Sequence, residues 1–166
     1  MRALAFVPLL ILAACSETDG GGPKQETKAA AATQLEPGQW ETVAEVTRFT
    51  QMDKGKPAIN TPAGSKATAT ACVGEAEARK PAPVLFTASE EGSCEYRDFY
   101  MSNGRINGSL ACKRPGLGGE VMTSVEGTFT ADSFEGTSLV ETYLYTDGDV
   151  KIAAKISGRR VGACAA

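Results

Sequence analysis

The fold is decided by residues 94–112, Cys94-Glu95-Tyr96-Arg97-Asp98-Phe99-Tyr100-Met101-Ser102-Asn103-Gly104-Arg105-Ile106-Asn107-Gly108-Ser109-Leu110-Ala111-Cys112. Two alternating runs flank Ser102-Asn103-Gly104. Asn-Gly between such runs is a strong hairpin signal, because both residues tolerate positive φ. A three-residue loop with Gly104 left-handed sets Met101 against Arg105. Stepping outward along one face then pairs Tyr100 with Ile106, Tyr96 with Leu110 and Cys94 with Cys112. Two cysteines that meet across one hairpin imply a covalently closed antiparallel sheet made in an oxidising compartment.

Cysteine arithmetic extends this reading to the ends of the chain. The 166 residues contain five cysteines and no histidine. An odd thiol in an exported protein needs a use. Residues 1–14 supply one. Arg2 is a minimal positive start, and Ala3 to Leu12 is an apolar run too short to span a bilayer. It ends in Leu12-Ala13-Ala14-Cys15, which resembles the lipobox of bacterial lipoproteins. The resemblance implies that residues 1–14 are a lipoprotein signal peptide, removed before Cys15, and that the Cys15 thiol carries the lipid. The competing reading is an ordinary signal peptide with a chance cysteine. With Cys15 lipidated, Cys72, Cys94, Cys112 and Cys164 remain, and four cysteines allow three connectivities. The hairpin register selects Cys94–Cys112 and leaves Cys72–Cys164. A four-thiolate zinc site is the rival arrangement, but no pair has the required CxxC-like spacing.

Residues 15–36 read as the lipidated cysteine and a flexible tether, with Gly20-Gly21-Gly22-Pro23 and an alanine run from Ala29 to Ala32. A coil of this length has a root-mean-square span of about 25 Å. Ser16 follows the lipidated position, and a residue other than Asp there resembles the sorting pattern for the outer membrane, facing the periplasm of a Gram-negative cell. Residues 37–166 suit one domain with one core. The charge is nearly balanced, with 17 Lys and Arg against 20 Asp and Glu. Without a basic cluster matched to a phosphate backbone, a nucleic-acid partner is not expected. Membrane attachment rests on the lipid alone.

Residues 37–166 read as strands. Trp40, Thr42, Ala44 and Val46 share one face of the first, and Ala67 to Val73 is a Thr-rich strand carrying Cys72. Gly74 to Pro81 is the one helix candidate, acidic at its start and basic at its end. Val84-Leu85-Phe86 reads as a core anchor. Pro115 to Gly119 is a turn rather than a phosphate loop, since it lacks the GKS/GKT ending. Val121, Thr123, Val125 and Phe129 share a face, as do Phe134, Ser138, Val140 and Leu144. Thr146-Asp147-Gly148 repeats the turn grammar of Ser102-Asn103-Gly104. A three-residue loop there sets Leu144 against Val150 and Thr142 against Ile152, with Val150, Ile152, Ala154 and Ile156 inward. The expected fold is all-β: an up-and-down antiparallel sheet of about seven strands curled into a barrel or half-barrel, with one short helix and two disulfides.

A resemblance emerges at this point. Pro37-Gly38-Gln39-Trp40-Glu41, Cys72 with the acidic segment ending at Pro81, and Cys94, Gly104-Arg105 and Cys112 carry its first half. Gly127-Thr128-Phe129-Thr130 and Gly158-Arg159-Arg160-Val161-Gly162-Ala163-Cys164 carry the second. Together they resemble domain-of-unknown-function family 3617, small secreted or lipidated proteins of proteobacteria. The resemblance implies no established activity and no catalytic residues.

The inventory of side chains narrows the chemistry. No histidine means no Ser-His-Asp or Cys-His mechanism and no His-ligated metal. Neither a metal nor a cofactor is expected. Glu90-Glu91 beside Gly92 reads as a solvated turn, and Arg159-Arg160 as surface charge. In the three-residue register Asp98 shares the inward face with Tyr96 and Tyr100. A buried acid needs a partner or a raised pKa. The alternative is a bulge that turns Asp98 outward. The expected function is an outer-membrane-anchored periplasmic module that binds a ligand or an envelope protein. Its alternative is a carrier of a small apolar ligand, with Trp40, Tyr96, Asp98, Tyr100, Phe129 and Phe134 facing it, unless those aromatics simply fill the core. An envelope hydrolase is the third reading.

Overall fold

The computed structural model describes residues 31–89 and 92–165. The expected signal peptide, Cys15, most of the expected tether and Glu90-Glu91 lie outside the described residues. Seven strands form one antiparallel sheet: β1 (Gly38–Gln51), β2 (Lys66–Val73), β3 (Ser93–Ser102), β4 (Arg105–Lys113), β5 (Gly119–Phe129), β6 (Ser133–Leu144) and β7 (Val150–Gly162). The strand order is β2-β1-β7-β6-β5-β4-β3. Chain neighbours are sheet neighbours everywhere except between β2 and β3, which are the two edges. The sheet is therefore a half-barrel, and residues 74–92 cross from one edge to the other. No helix among the described residues is long and apolar enough to cross a membrane.

Among the described residues the helical turns both fall in that segment. The helix expected over Gly74 to Pro81 is a single 3-10 turn, Glu75–Glu77. So short a segment does not repay the cost of nucleating an α-helix, and Pro81 and Pro83 stop propagation. One further turn, α1 (Val84–Thr87), carries Leu85 and Phe86 into the core at 1% and 0% exposure. Thr42, fully buried on β1, donates its hydroxyl to the Leu85 carbonyl at 2.8 Å and ties α1 to the sheet.

Alternation sets the inner face as expected. Trp40, Thr42, Ala44 and Val46 on β1, and Val150, Ile152, Ala154 and Ile156 on β7, are buried. Gly158 is placed by packing, because a Cβ there would lie 2.1 Å from the Phe134 ring.

The β3–β4 hairpin departs from the expected register at its tip. The loop has two residues, Asn103 (φ 51°) and Gly104 (φ 70°), the positive pair that matches strand twist. Ser102 faces Arg105, Met101 faces Ile106 and Tyr100 faces Asn107. A bulge at Arg97, between Tyr96 and Asp98, then adds back the residue the shorter loop removes. Tyr96 faces Leu110 and Cys94 faces Cys112, as read from the sequence. The correction falls on Asp98 and Tyr100, which point outward, while Phe99 and Met101 turn inward.

The β6–β7 hairpin is offset from expectation by two residues: Val140 faces Ile152 and Glu141 faces Lys151. An even shift keeps every side chain on its face. The longer turn is held by Asp149, which accepts from the Thr142 hydroxyl and the Leu144 amide, each at 2.9 Å.

Two disulfides cross-link strands within the sheet. Cys94 and Cys112 sit directly opposite, with Cα atoms 4.0 Å apart. Cys164, just beyond β7, reaches past β1 to Cys72 on edge strand β2, with Cα atoms 5.4 Å apart. The fold also extends upstream of Pro37. Leu35 is fully buried, its amide donates to the Ala78 carbonyl at 2.9 Å, and Ala32 accepts from the Gly104 amide at 2.8 Å.

Asp53 clasps two loops at the other end of the half-barrel. Its carboxylate accepts from the amides of Gly55 (2.9 Å), Gly148 (2.7 Å) and Asp149 (2.9 Å). The Asp149 and Gly148 amides hold its pKa below the ordinary carboxylate value. A depressed folded-state pKa stabilises above the unfolded value of about 3.9 and is lost as pH falls through the folded value. Urea unfolding should therefore show wild type losing stability below about pH 4. Asp53→Asn should start lower at pH 7 and lose less on acidification. Parallel pH profiles for the two proteins would contradict the clasp.

Candidate functional site

The inner face carries two hydrophobic clusters rather than one. The larger gathers Trp40, Leu85, Phe86, Phe129, Phe134 and Ile156 with Leu35 beneath them. Its rings interlock: Trp40 stacks on Phe134 at 6.1 Å, and Phe86 lies 5.2 Å from Phe134 and 5.6 Å from Phe99. The smaller cluster is Val46, Val150 and Ile152, backed by Phe49, Ile59 and Val140.

A cleft of about 450 Å³ separates them. Its floor is made of small inward residues on adjacent strands. Val46 pairs with Ala154, Ala154 pairs with Ser138, and Ala44 pairs with Ala67. Where the larger cluster has rings at these inward positions, the cleft has methyl and hydroxymethyl groups. The opposite wall is Thr87, Ala88 and Ser89, together with Thr61 from the β1–β2 loop. Ala88 adopts the left-handed conformation (φ 47°), which ends α1 and turns the chain along the cleft. Arg114, half-buried just beyond β4, lines the rim. The size falls within the range of small-molecule sites, and the lining mixes apolar side chains (Val46, Val140, Ile152, Ala154) with hydroxyl-bearing ones (Thr61, Thr87, Ser138) in nearly equal measure.

Residues 35–164 match the family described as "Protein of unknown function (DUF3617)". The chain belongs to the DUF3617 family. No curated protein and no solved structure matches the chain. The matched span starts at Leu35, the buried residue beneath Trp40, and ends at Cys164, which closes the longer disulfide loop.

None of the six residues expected to face a ligand lines the DUF3617 cleft. Trp40, Phe129 and Phe134 are buried in the larger cluster at 0%, 5% and 4% exposure. The Trp40 indole donates to the Glu36 carbonyl at 3.0 Å. Tyr96 packs on Phe99 at 4.5 Å, and its hydroxyl donates to the Pro81 carbonyl at 2.8 Å. Burial pushes the Tyr96 phenol above its ordinary range. The Lys80 ammonium sits 5.4 Å from the same ring. Asp98 and Tyr100 stand on the outer face, because of the bulge at Arg97. Trp40, Tyr96, Phe129 and Phe134 thus belong to the packed larger cluster, with Phe129 and Phe134 also bordering a depression of about 410 Å³ near the β5–β6 turn.

Sequence reasoning missed the residues that do line the cleft. Their signal was available as a coincidence of small residues at inward positions: Ala44 on β1, Ala154 on β7 and Ser138 on β6. Arg114 gave no such signal, since only the crossing segment between the sheet edges brings it near Ser89.

Further depressions lie on the outer face. The largest, about 620 Å³, surrounds the facing Gly127 and Gly136, with Glu45, Glu135 and Lys155 at its margin. Its floor is paired backbone and its rim is charged, so it offers little apolar enclosure. A second, about 480 Å³, lies by Tyr143 and Tyr145, which are 55% and 88% exposed. Among the described residues no group of three or more metal-ligating side chains occurs together.

Proposed function

We propose that this DUF3617 protein is a lipid-anchored binding module of the bacterial outer membrane, facing the periplasm, and that it holds a small apolar molecule in the cleft between its two hydrophobic clusters. The observation that carries the ligand reading is the floor of small residues, Ala44, Ala154 and Ser138, beside a packed aromatic core. Protein interiors are close-packed, with few voids larger than a water molecule, so space left above small inward residues can take a ligand. Two observations support binding without conversion: the chain has no histidine, and among the described residues that line the cleft there is no Asp, Glu or Lys to serve as a base. An anchor and tether would raise the module's effective concentration at the membrane surface.

An environment-sensitive naphthylamine dye tests the cleft. Dye fluorescence should rise saturably with one site per chain. Ala154→Leu, which places a bulky side chain on the cleft floor, should abolish the rise while the thermal midpoint holds or increases. Saturable binding that survives Ala154→Leu unchanged would remove the cleft as the site. No saturable binding by the wild type would favour a protein-interaction module instead.

The anchor rests on Leu12-Ala13-Ala14-Cys15 and is tested separately. Radiolabelled palmitate should enter the wild type and not Cys15→Ser. Equal labelling of the two would overturn it.

A further inference from the structure

The cleft has a charged residue as well as a floor of small side chains, and among the described residues that charge has no partner. Arg114 is half-buried at the rim, and among the described residues its guanidinium has no carboxylate or carbonyl partner. The other arginines and lysines of the described residues are either exposed or ion-paired. Arg97 pairs with Glu120, Lys151 with Glu141 at 2.8 Å, and Arg159 with Glu41 at 3.1 Å. Arg48, Lys54, Arg105 and Lys155 are exposed to water. Among the described residues Arg114 alone combines partial burial with a fork of donors that has no partner there, and it lines the same cleft as Val46, Val140 and Ile152. No Asp or Glu is among the described residues that line the cleft.

A guanidinium is a planar set of donors matched to carboxylate and phosphate oxygens, and the match strengthens as water is excluded. Behind it the floor, from Ala154 and Ser138 to Val46, Val140 and Ile152, suits a hydrocarbon chain. The volume of about 450 Å³ bounds the size of the occupant. At about 30 Å³ per water-sized group, that is room for roughly fifteen heavy atoms, one medium-length chain and not two.

We infer that the cleft takes a single-chain anionic amphiphile, its head on Arg114 and its tail along the floor formed by Ala44, Ala154 and Ile152. The inference rests on the cleft reading proposed above and adds the chemical class of the ligand. The head chemistry fits either a free fatty acid or a single-chain phosphate ester.

Calorimetric titration of the protein separates these. The probes are dodecanoate, dodecyl phosphate and dodecanol, each below its micelle-forming concentration. Wild type should bind at least one of the two anions ten-fold or more tighter than dodecanol, and the tighter anion identifies the source of the head group. Arg114→Ala should reduce anion affinity to that of dodecanol and leave dodecanol unchanged, with Arg114→Lys intermediate. Equal affinity for dodecanoate, dodecyl phosphate and dodecanol in wild type would overturn the head-group assignment while leaving the cleft reading intact. So would an anion preference that survives Arg114→Ala. Failure of all three probes to bind would overturn the cleft reading and this inference together.

Discussion

Replacing Cys72 and Cys164 together by alanine should cost the domain about 4–5 kcal/mol. The bond closes a loop of 92 residues. In the chain-entropy account, a loop of that length restricts the unfolded chain by about 4.6 kcal/mol, against about 3 kcal/mol for the 18-residue loop of Cys94–Cys112. The longer bridge also has a local task. It fastens edge strand β2 to the end of β7 across β1, at the point where Gln39 is flanked by Cys72 and Gly162. Domains of this size have only about 5–15 kcal/mol in total. The double variant should therefore unfold at a much lower urea concentration, with the corresponding Cys94/Cys112 variant falling less. A loss below about 1 kcal/mol for the longer bridge would contradict this account of how edge strand β2 is fastened to the sheet.

Phe86→Ala should be nearly as damaging, at about 3–5 kcal/mol, the range for emptying a large aromatic site. Phe86 is fully buried and touches rings from two distant strands, Phe99 of β3 and Phe134 of β6. Its element, α1, is one turn of four residues, too short to stand alone, and is held by Phe86, the buried Leu85 and the Thr42–Leu85 hydrogen bond. Losing the anchor should release Thr87, Ala88 and Ser89, which form one wall of the cleft. Dye binding should therefore weaken along with the urea midpoint, whereas Phe86→Leu should keep most of both. A Phe86→Ala protein with a normal midpoint would show that α1 is not the plug of this half-barrel.

The sheet was legible in the sequence because strand alternation is a local code. Trp40, Thr42, Ala44 and Val46 announce their face without reference to any other strand, and so do Val150 to Ile156. The disulfides were legible because two cysteines bracket one turn, which leaves a single partner for the rest. Registers were harder. Asn103 alone does not say whether two or three residues make the loop, and the bulge at Arg97 depends on packing of Phe99 against Tyr96 and Phe86. That bulge decides where Asp98 and Tyr100 point, so two of the six residues chosen for a ligand site were lost with it. The other four were chosen because aromatic rings suggest binding, yet rings at inward positions of a narrow half-barrel fill it. The cleft depends on residues small enough to leave room, and on Arg114, which reaches it only through the non-local crossing between β2 and β3.

The most direct test of the central claim is a methyl NMR titration of the protein with the naphthylamine dye. The account predicts saturable shifts confined to the methyls of Ala44, Val46, Ala88, Val140, Ile152 and Ala154, with Val161 on the outer surface unmoved. Shifts centred instead on the outer face beside Tyr143 and Tyr145, or no saturable shift of any cleft methyl, would contradict it.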